Sequence, residues 1–188
     1  MKGALIVVGV LVLLGLLLFM PLMSARNQLV SERESVTEAW SQVENVMQRR
    51  ADLIPNLVET VKGVAKHEQS VIDSVTSARA ALGGARTPQD KIAANDQLSS
   101  AISRLLVVTE NYPQLKANEN FSKLQDELAG TENRMSQERR KYNETLQKYN
   151  TDIDLFPKNI AASLFGFQRN DAYFRAEAGA KEVPKVKF

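Results

Sequence analysis

Cysteine is absent from the 188 residues, and histidine occurs once, at His67. The first absence excludes disulfides, cysteine-ligated metals and cysteine nucleophiles, and it leaves the redox compartment open. The second argues against a multi-histidine metal site or a histidine-centred catalytic system within one chain. An excess of either charge is also missing: 24 basic residues face 22 acidic ones, for a formal net charge of +2. With no basic face and no strand surface carrying stacked aromatics, nucleic acid is not expected as a partner. Proline is sparse, and Pro55, Pro88, Pro113 and Pro157 fall where a helix is expected to bend, start or stop. What remains is 44% apolar and 24% charged, the composition of a folded protein rather than a disordered one.

Ala4 to Ala25 carries no charge, and Ala4 to Met23 is almost wholly aliphatic. Twenty helical residues span about 30 Å, the thickness of a bilayer core. A cleaved signal peptide is the competing reading. The run is longer than a usual signal core, and Met23-Ser24-Ala25 is a poor cleavage site, so a retained single-pass transmembrane helix is expected. Arg26 and Arg33 on one flank against Lys2 on the other lean towards a cytoplasmic C-terminal domain.

From Leu29 to Leu82 apolar residues recur at heptad spacing. One seam position reads Leu29, Val36, Val43, Arg50, Leu57, Val64, Val71, Ala78; the other reads Arg33, Trp40, Met47, Ile54, Val61, Glu68, Val75, Leu82. That spacing places them on one stripe of a helix about 80 Å long. The anchor either runs straight into this helix or yields to a fresh start capped at Ser31 or Ser35. Arg33, Arg50 and Glu68 interrupt the stripe. Arg50 is expected to pack its stem and send its head to water or a carboxylate. Pro55 has no N–H for the Ala51 carbonyl, so a kink or break is expected there, with Asp52 and Asn56 able to cap freed groups. Trp40 reads as core.

Gly83 and Gly84 with Thr87-Pro88 mark a stop and a restart. The next helix is expected over about 88–112, striped by Ile92, Leu98, Ile102, Leu105 or Leu106, Thr109 and Tyr112, and folded back antiparallel. A third helix, opened by Asn118 or Asn120, carries Phe121, Leu128, Met135, Tyr142, Tyr149 and Phe156 at heptad spacing, with Gly130 as a weak spot. Glu138 falls on this stripe, and it or Glu132 is expected to pair with a seam arginine, Arg50 or Arg139. Pro157 ends the helix. The stretch from Phe156 to Phe188 holds six of the twelve aromatics. A short helix over 159–165 and then Phe165, Phe167, Tyr173 and Phe174 read as a hydrophobic cap on the bundle. The rival is a docking surface for a partner, another subunit or the membrane interface. Residues 183–188 alternate in character and read as extended or mobile.

The fold class expected is therefore all-α: an N-terminal transmembrane helix followed by an elongated antiparallel bundle of about three to four helices. The organisation expected is an anchor and flank over 1–28, a long-helix domain over 29–156, and a short helix with an aromatic and basic tail over 157–188.

The run Arg49-Arg50-Ala51-Asp52-Leu53-Ile54-Pro55-Asn56-Leu57-Val58-Glu59-Thr60-Val61-Lys62-Gly63 resembles the signature of the LemA family. So do His67-Glu68, Ala78-Arg79-Ala80, Glu110-Asn111-Tyr112-Pro113-Gln114-Leu115-Lys116-Ala117-Asn118, Thr131-Glu132-Asn133-Arg134, Arg139-Arg140-Lys141-Tyr142-Asn143, Tyr149-Asn150 and Phe156-Pro157. Val64-Ala65 departs from the family, where an aromatic often follows the Lys-Gly pair. The resemblance covers essentially all of the chain after the anchor. It implies a bacterial inner-membrane protein with a single-pass anchor, a short N-terminal tail and a helical domain on the cytoplasmic side. It brings no enzymatic activity, catalytic residue, cofactor or metal ligand.

Two functions compete. The first is a non-catalytic, membrane-tethered scaffold or adaptor working through helix–helix association, with the lipid bilayer and either a second copy or another membrane protein as partners. Its interaction candidates are Arg50, Asp52, Pro55, Glu68, Glu110, Glu132, Glu138, Arg139, Tyr142, Phe165, Phe167 and Phe174. The alternative is a carboxylate-based enzyme or metal-binding bundle, whose raw material is Asp52, Glu68, Glu110, Glu132 and Glu138. Two metal signatures fail: Val71 stands where a second zinc-protease histidine would be, and Val64 stands three residues before His67, where a diiron site needs glutamate. No small-molecule substrate or cofactor is identified.

Overall fold

The structure is a computed structural model that describes residues 2–65 and 67–175. Among these the chain is all-α, with no strand. The elements are α1 (Lys2–Lys62), α2 (Gln69–Gly84), α3 (Pro88–Thr109), α4 (Pro113–Lys116), α5 (Glu119–Asp154) and α6 (Lys158–Phe165). Four of them are long, with α1 and α2 dividing the stretch that the heptads join into one helix; α4 and α6 are short. Residues 183–188, expected to be extended, lie outside the described residues.

The anchor and the first heptad helix are one element, since α1 runs without interruption from Lys2 through Lys62. Neither serine caps a new start; Ser35 Oγ instead donates back to the Ser31 carbonyl at 3.0 Å, a mid-helix bond. Of the two outcomes expected at Pro55, a kink or a break, the break does not occur: α1 is continuous through it. The interruption falls at residues 63–68. Gly63 and the turn that follows close the helix with bonds from Val64 N and Ala65 N to the Val61 carbonyl, at 3.0 and 2.8 Å. Beyond the gap α2 buries Val75, Ala78 and Leu82 of the expected stripe, with Ile72 buried in place of Val71, which is half-buried. Helix α3 ends at Thr109, one turn earlier than the apolar pattern suggests, because Pro113 opens a separate turn, α4.

Caps follow the sequence closely. Thr87 Oγ1 accepts from Asp90 N at 3.1 Å and Pro88 sits in the first turn of α3. Asn118 Oδ1 accepts from Asn120 N and Phe121 N, at 2.9 and 3.3 Å, and so opens α5. Gly166 closes α6 in the left-handed region at φ 71°, which a side chain would oppose.

The chain forms two compact units, Met1–Val43 with Arg140–Asp171, and Glu44–Arg139 with Ala172–Phe188. In the first, Ala25, Leu29, Val36, Ala39 and Val43 of α1 are buried along with Tyr142, Leu146, Tyr149 and Ile153 of α5 and Ala161 and Ala162 of α6. Trp40 is half-buried against Tyr142, with ring centroids 5.2 Å apart and planes at 58°, a tilted arrangement that aromatic quadrupoles favour. In the second, Met47, Ile54, Leu57 and Val61 of α1 form a core with Leu98, Ile102 and Leu105 of α3 and Phe121, Leu128 and Met135 of α5. Each such large side chain contributes about 1.5–3 kcal/mol on burial. Phe156, expected on the α5 stripe, is 78% exposed, because α5 has already ended at Asp154.

Candidate functional site

The polar residues that interrupt the seams are held by specific partners. In the second unit Arg50 is 5% exposed on an otherwise apolar stripe. Its Nη1 donates to Ser99 Oγ at 2.9 Å and lies 2.8 Å from Glu132 Oε2. The N–H is aimed at the serine, so Glu132 acts chiefly as a nearby countercharge. Burial lowers the Arg50 pKa from its ordinary value and Glu132 opposes that shift. Next to this pair, Arg139 Nη2 donates to Asp96 Oδ1 at 3.1 Å, and its guanidinium sits 4.9 Å from the centre of the Phe174 ring. Phe174 is thereby folded onto α5. Glu138 is half-buried. Asn95 of α3, which the sequence reading did not single out, is fully buried beside Asp96 in the chain.

The backbone at Pro55 has an unexpected partner. Arg79 of α2 donates from Nε to the Ala51 carbonyl at 2.8 Å. That carbonyl is the acceptor which a residue at position 55 would serve if it had an N–H. The expected cap, Asp52, is exposed and accepts instead from Gln48 Nε2 at 2.8 Å. Arg79 also borders a groove of about 420 Å³ lined by Gln48, Ala51, Leu82 and Lys91 among others. Lys91 on that wall is paired with Glu44. Glu68 leads into α2 and accepts from Tyr112 Oη at 3.0 Å, which raises the tyrosine pKa. Glu110 is exposed at the C-terminus of α3.

In the first unit the charges form a closed square. Lys158 Nζ lies 3.1 Å from Glu32 Oε1 and 2.7 Å from Asp152 Oδ2; Lys148 Nζ pairs with Glu32 and lies 3.0 Å from Asp152 Oδ2. The Asp152 carboxyl is held well below the usual carboxylate range, by the adjoining Glu32 side chain and by its hydrogen bonds from Lys158 and Lys148. Both lysines are raised: Lys148 by its bonds to Glu32 and Asp152, Lys158 against the opposing effect of burial. Beside the square, Asn150 donates from Nδ2 to the Asn170 carbonyl at 2.7 Å and accepts from Asn170 N at 3.0 Å. Tyr149 Oη donates to the Gln168 carbonyl at 3.2 Å. Arg33, expected on the seam, is exposed and lies over the Phe167 ring at 5.7 Å; Arg26 lies over Phe165 at 5.5 Å.

The carboxylates do not converge. Glu132, Glu68, Asp52 and Glu110 are engaged or exposed at separate places, and among the described residues no group of three or more His, Cys, Asp or Glu side chains could hold a metal ion. The family model of the LemA family matches residues 39–188. The chain belongs to the LemA family. This LemA-family chain is 24% identical over 184 residues to Magnetosome protein MamQ 2 of Paramagnetospirillum magneticum, covering 84% of the chain and 68% of that relative. It is 22% identical to Magnetosome protein MamQ of Magnetospirillum gryphiswaldense, with the same coverage. To Protein LemA of Metamycoplasma hominis it is 23% identical over 162 residues, covering 86% of the chain and 72% of the relative. Arg50, Arg79, Glu132 and Asn150 all fall inside the matched region. Arg79 and Asn150 stand in the family signature but not among the interaction candidates, because heptad spacing flags polar residues on the stripe, not polar residues that reach back to a distant backbone.

Proposed function

We propose that this LemA-family chain is a non-catalytic, membrane-tethered scaffold, crossing the bilayer once through the start of α1 and presenting its helices to a second copy or to another membrane protein. The observation that supports this reading most is the continuity of α1. It is the one helix among the described residues long and apolar enough to cross a membrane, and it continues unbroken into both compact units. From Leu5 to Met20 its described large apolar side chains are exposed, as lipid contact requires. The apolar seam of α1 is buried within the chain itself, so association draws on other surfaces.

The test is cross-linking in intact membranes. Discrete species at a fixed multiple of the 20.9 kDa chain, or with one partner in fixed ratio, are expected. Only monomeric chain across cross-linkers of several lengths would refute the scaffold. The carboxylate-enzyme alternative is checked by metal analysis of purified protein, where stoichiometric iron, manganese or zinc would favour it.

A further inference from the structure

Helix α6 is packed the wrong way round for a helix that only caps a bundle. Its smallest side chains face inward: Ala161 is 0% exposed and Ala162 is 3% exposed. Its large aliphatic residues face outward, Ile160 at 52% and Leu164 at 65%. Leu155 and Phe156, in the turn just before it, are also exposed, and Phe165 is partly so. In a soluble helical hairpin the order is reversed, because each buried aliphatic side chain stabilises far more than a buried methyl group. A contiguous exposed apolar patch of this kind marks contact with something.

Two fixings place that patch along α1. At its start, Lys158 ties α6 to Glu32 and Asp152, at 3.1 and 2.7 Å. At its end, Phe165 lies under the guanidinium of Arg26, at 5.5 Å. Arg26 precedes Glu32 by six helical residues, about 9 Å, and follows Met23 by less than one turn. Helix α6 therefore points its C-terminal end at the place where the apolar run of α1 finishes. All of these residues lie in one compact unit.

We propose that the C-terminal end of α6 forms a foot that dips into the lipid–water interface, with Leu164 deepest and Ile160 at the level of the headgroups. The proposal rests on α1 crossing the membrane. The occupant is the bilayer rather than a second chain, because Leu164 adjoins Phe165, which is held under Arg26 less than one turn past the end of the apolar run of α1, and a cationic border of this kind is usual for segments seated at the interface. The foot fixes how the first unit sits on the membrane, which a single spanning helix leaves free to rotate.

The absence of cysteine makes the test direct. Full-length chain carrying one of Leu164→Cys, Ile160→Cys, Val12→Cys or Gln97→Cys is labelled with a nitroxide and placed in nanodiscs of phosphatidylethanolamine and phosphatidylglycerol. Collision rates with oxygen, which concentrates in lipid, and with a water-soluble nickel chelate are then measured. Val12 reports the spanning segment and Gln97, exposed in α3, reports water. An oxygen-to-nickel ratio at position 164 several-fold above that at 97, and approaching that at 12, with position 160 between 97 and 164, supports the foot. Ratios at 160 and 164 equal to that at 97, with 12 in lipid, overturn the foot and leave the anchor standing. A water-like ratio at 12 overturns the anchor and the foot with it. Low collision with both probes at 160 and 164, together with spin–spin broadening between chains, shows a second copy covering the patch and overturns the proposal.

Discussion

Arg79 Nε donates to the Ala51 carbonyl at 2.8 Å, supplying from α2 the hydrogen bond that Pro55 denies the backbone of α1. A side chain 28 residues further along the chain thus keeps a proline-containing helix in one piece and docks α2 against it. Replacing Arg79 by Ala leaves that part-buried carbonyl without its partner and is expected to cost about 1 kcal/mol. Pro55→Ala restores an N–H at the same place, so the double variant Pro55→Ala/Arg79→Ala is expected to regain much of the loss. Urea denaturation of the four proteins gives the coupling; two losses that simply add would contradict the exchange of donors.

Arg50 and Glu132 are unequal partners. The arginine side chain is 6% exposed and the glutamate 45%. Glu132→Ala strands a buried cation and is expected to destabilise the fold by about 1–3 kcal/mol, less than a fully buried pair would lose because water reaches that side. Arg50→Met fills the same seam position and leaves a carboxylate that water can solvate, so a change within about 1 kcal/mol is expected. Thermal melts of both variants give the order; a larger loss at Arg50→Met would contradict it.

The square of Glu32, Lys148, Asp152 and Lys158 sets a pH window. Asp152 has its folded pKa depressed, so its contribution is present above the unfolded value, about 4, and is lost as pH falls further. Lys148 and Lys158 have theirs raised, so their contribution is present below about 10 and is lost as pH rises beyond it. Stability from the square is expected to be flat between about pH 5 and 10. Asp152→Asn should lower the plateau and flatten the acid limb of Tm against pH, and an acid limb as steep as that of the parent protein would remove the role given to Asp152.

Asn150 clips residue Asn170 through two reciprocal bonds, at 2.7 and 3.0 Å. Asn150→Ala breaks both, and the segment from Phe167 to Asp171 is expected to lose amide protection while α5 keeps its own. Trypsin should then cut after Arg169 well before it cuts α5. Unchanged cleavage at Arg169 would show that the aromatic contacts of Phe167 hold the segment without the clip.

Much of this architecture was legible from side-chain period. Leu29, Val36, Val43 and Leu57 on α1, and Phe121, Leu128, Met135, Tyr142 and Tyr149 on α5, are buried where heptad spacing puts them. Local chemistry likewise marked the caps at Thr87 and Asn118. Whether Pro55 would break the helix was not legible, because no local rule connects it with Arg79, which serves the Ala51 carbonyl in its place. The gap at 63–68 was hidden because the apolar period continues across it, with Val64 and Val71 keeping the register that the backbone gives up. Helix α6 was visible as an amphipathic stretch, but that its alanines, Ala161 and Ala162, turn inward rather than Ile160 and Leu164 depended on tertiary packing that the period alone does not carry. For the charged residues, the expectation of a glutamate beside a seam arginine matches the Arg50–Glu132 contact, while Glu138 has no such ion pair among the described residues.

The most direct test of a membrane-tethered scaffold is the mass of the intact assembly released from its own membrane with lipid retained, by native mass spectrometry. A fixed multiple of 20.9 kDa, or one chain with a constant partner, is the result expected. A lone chain of that mass at every lipid and protein concentration would contradict it.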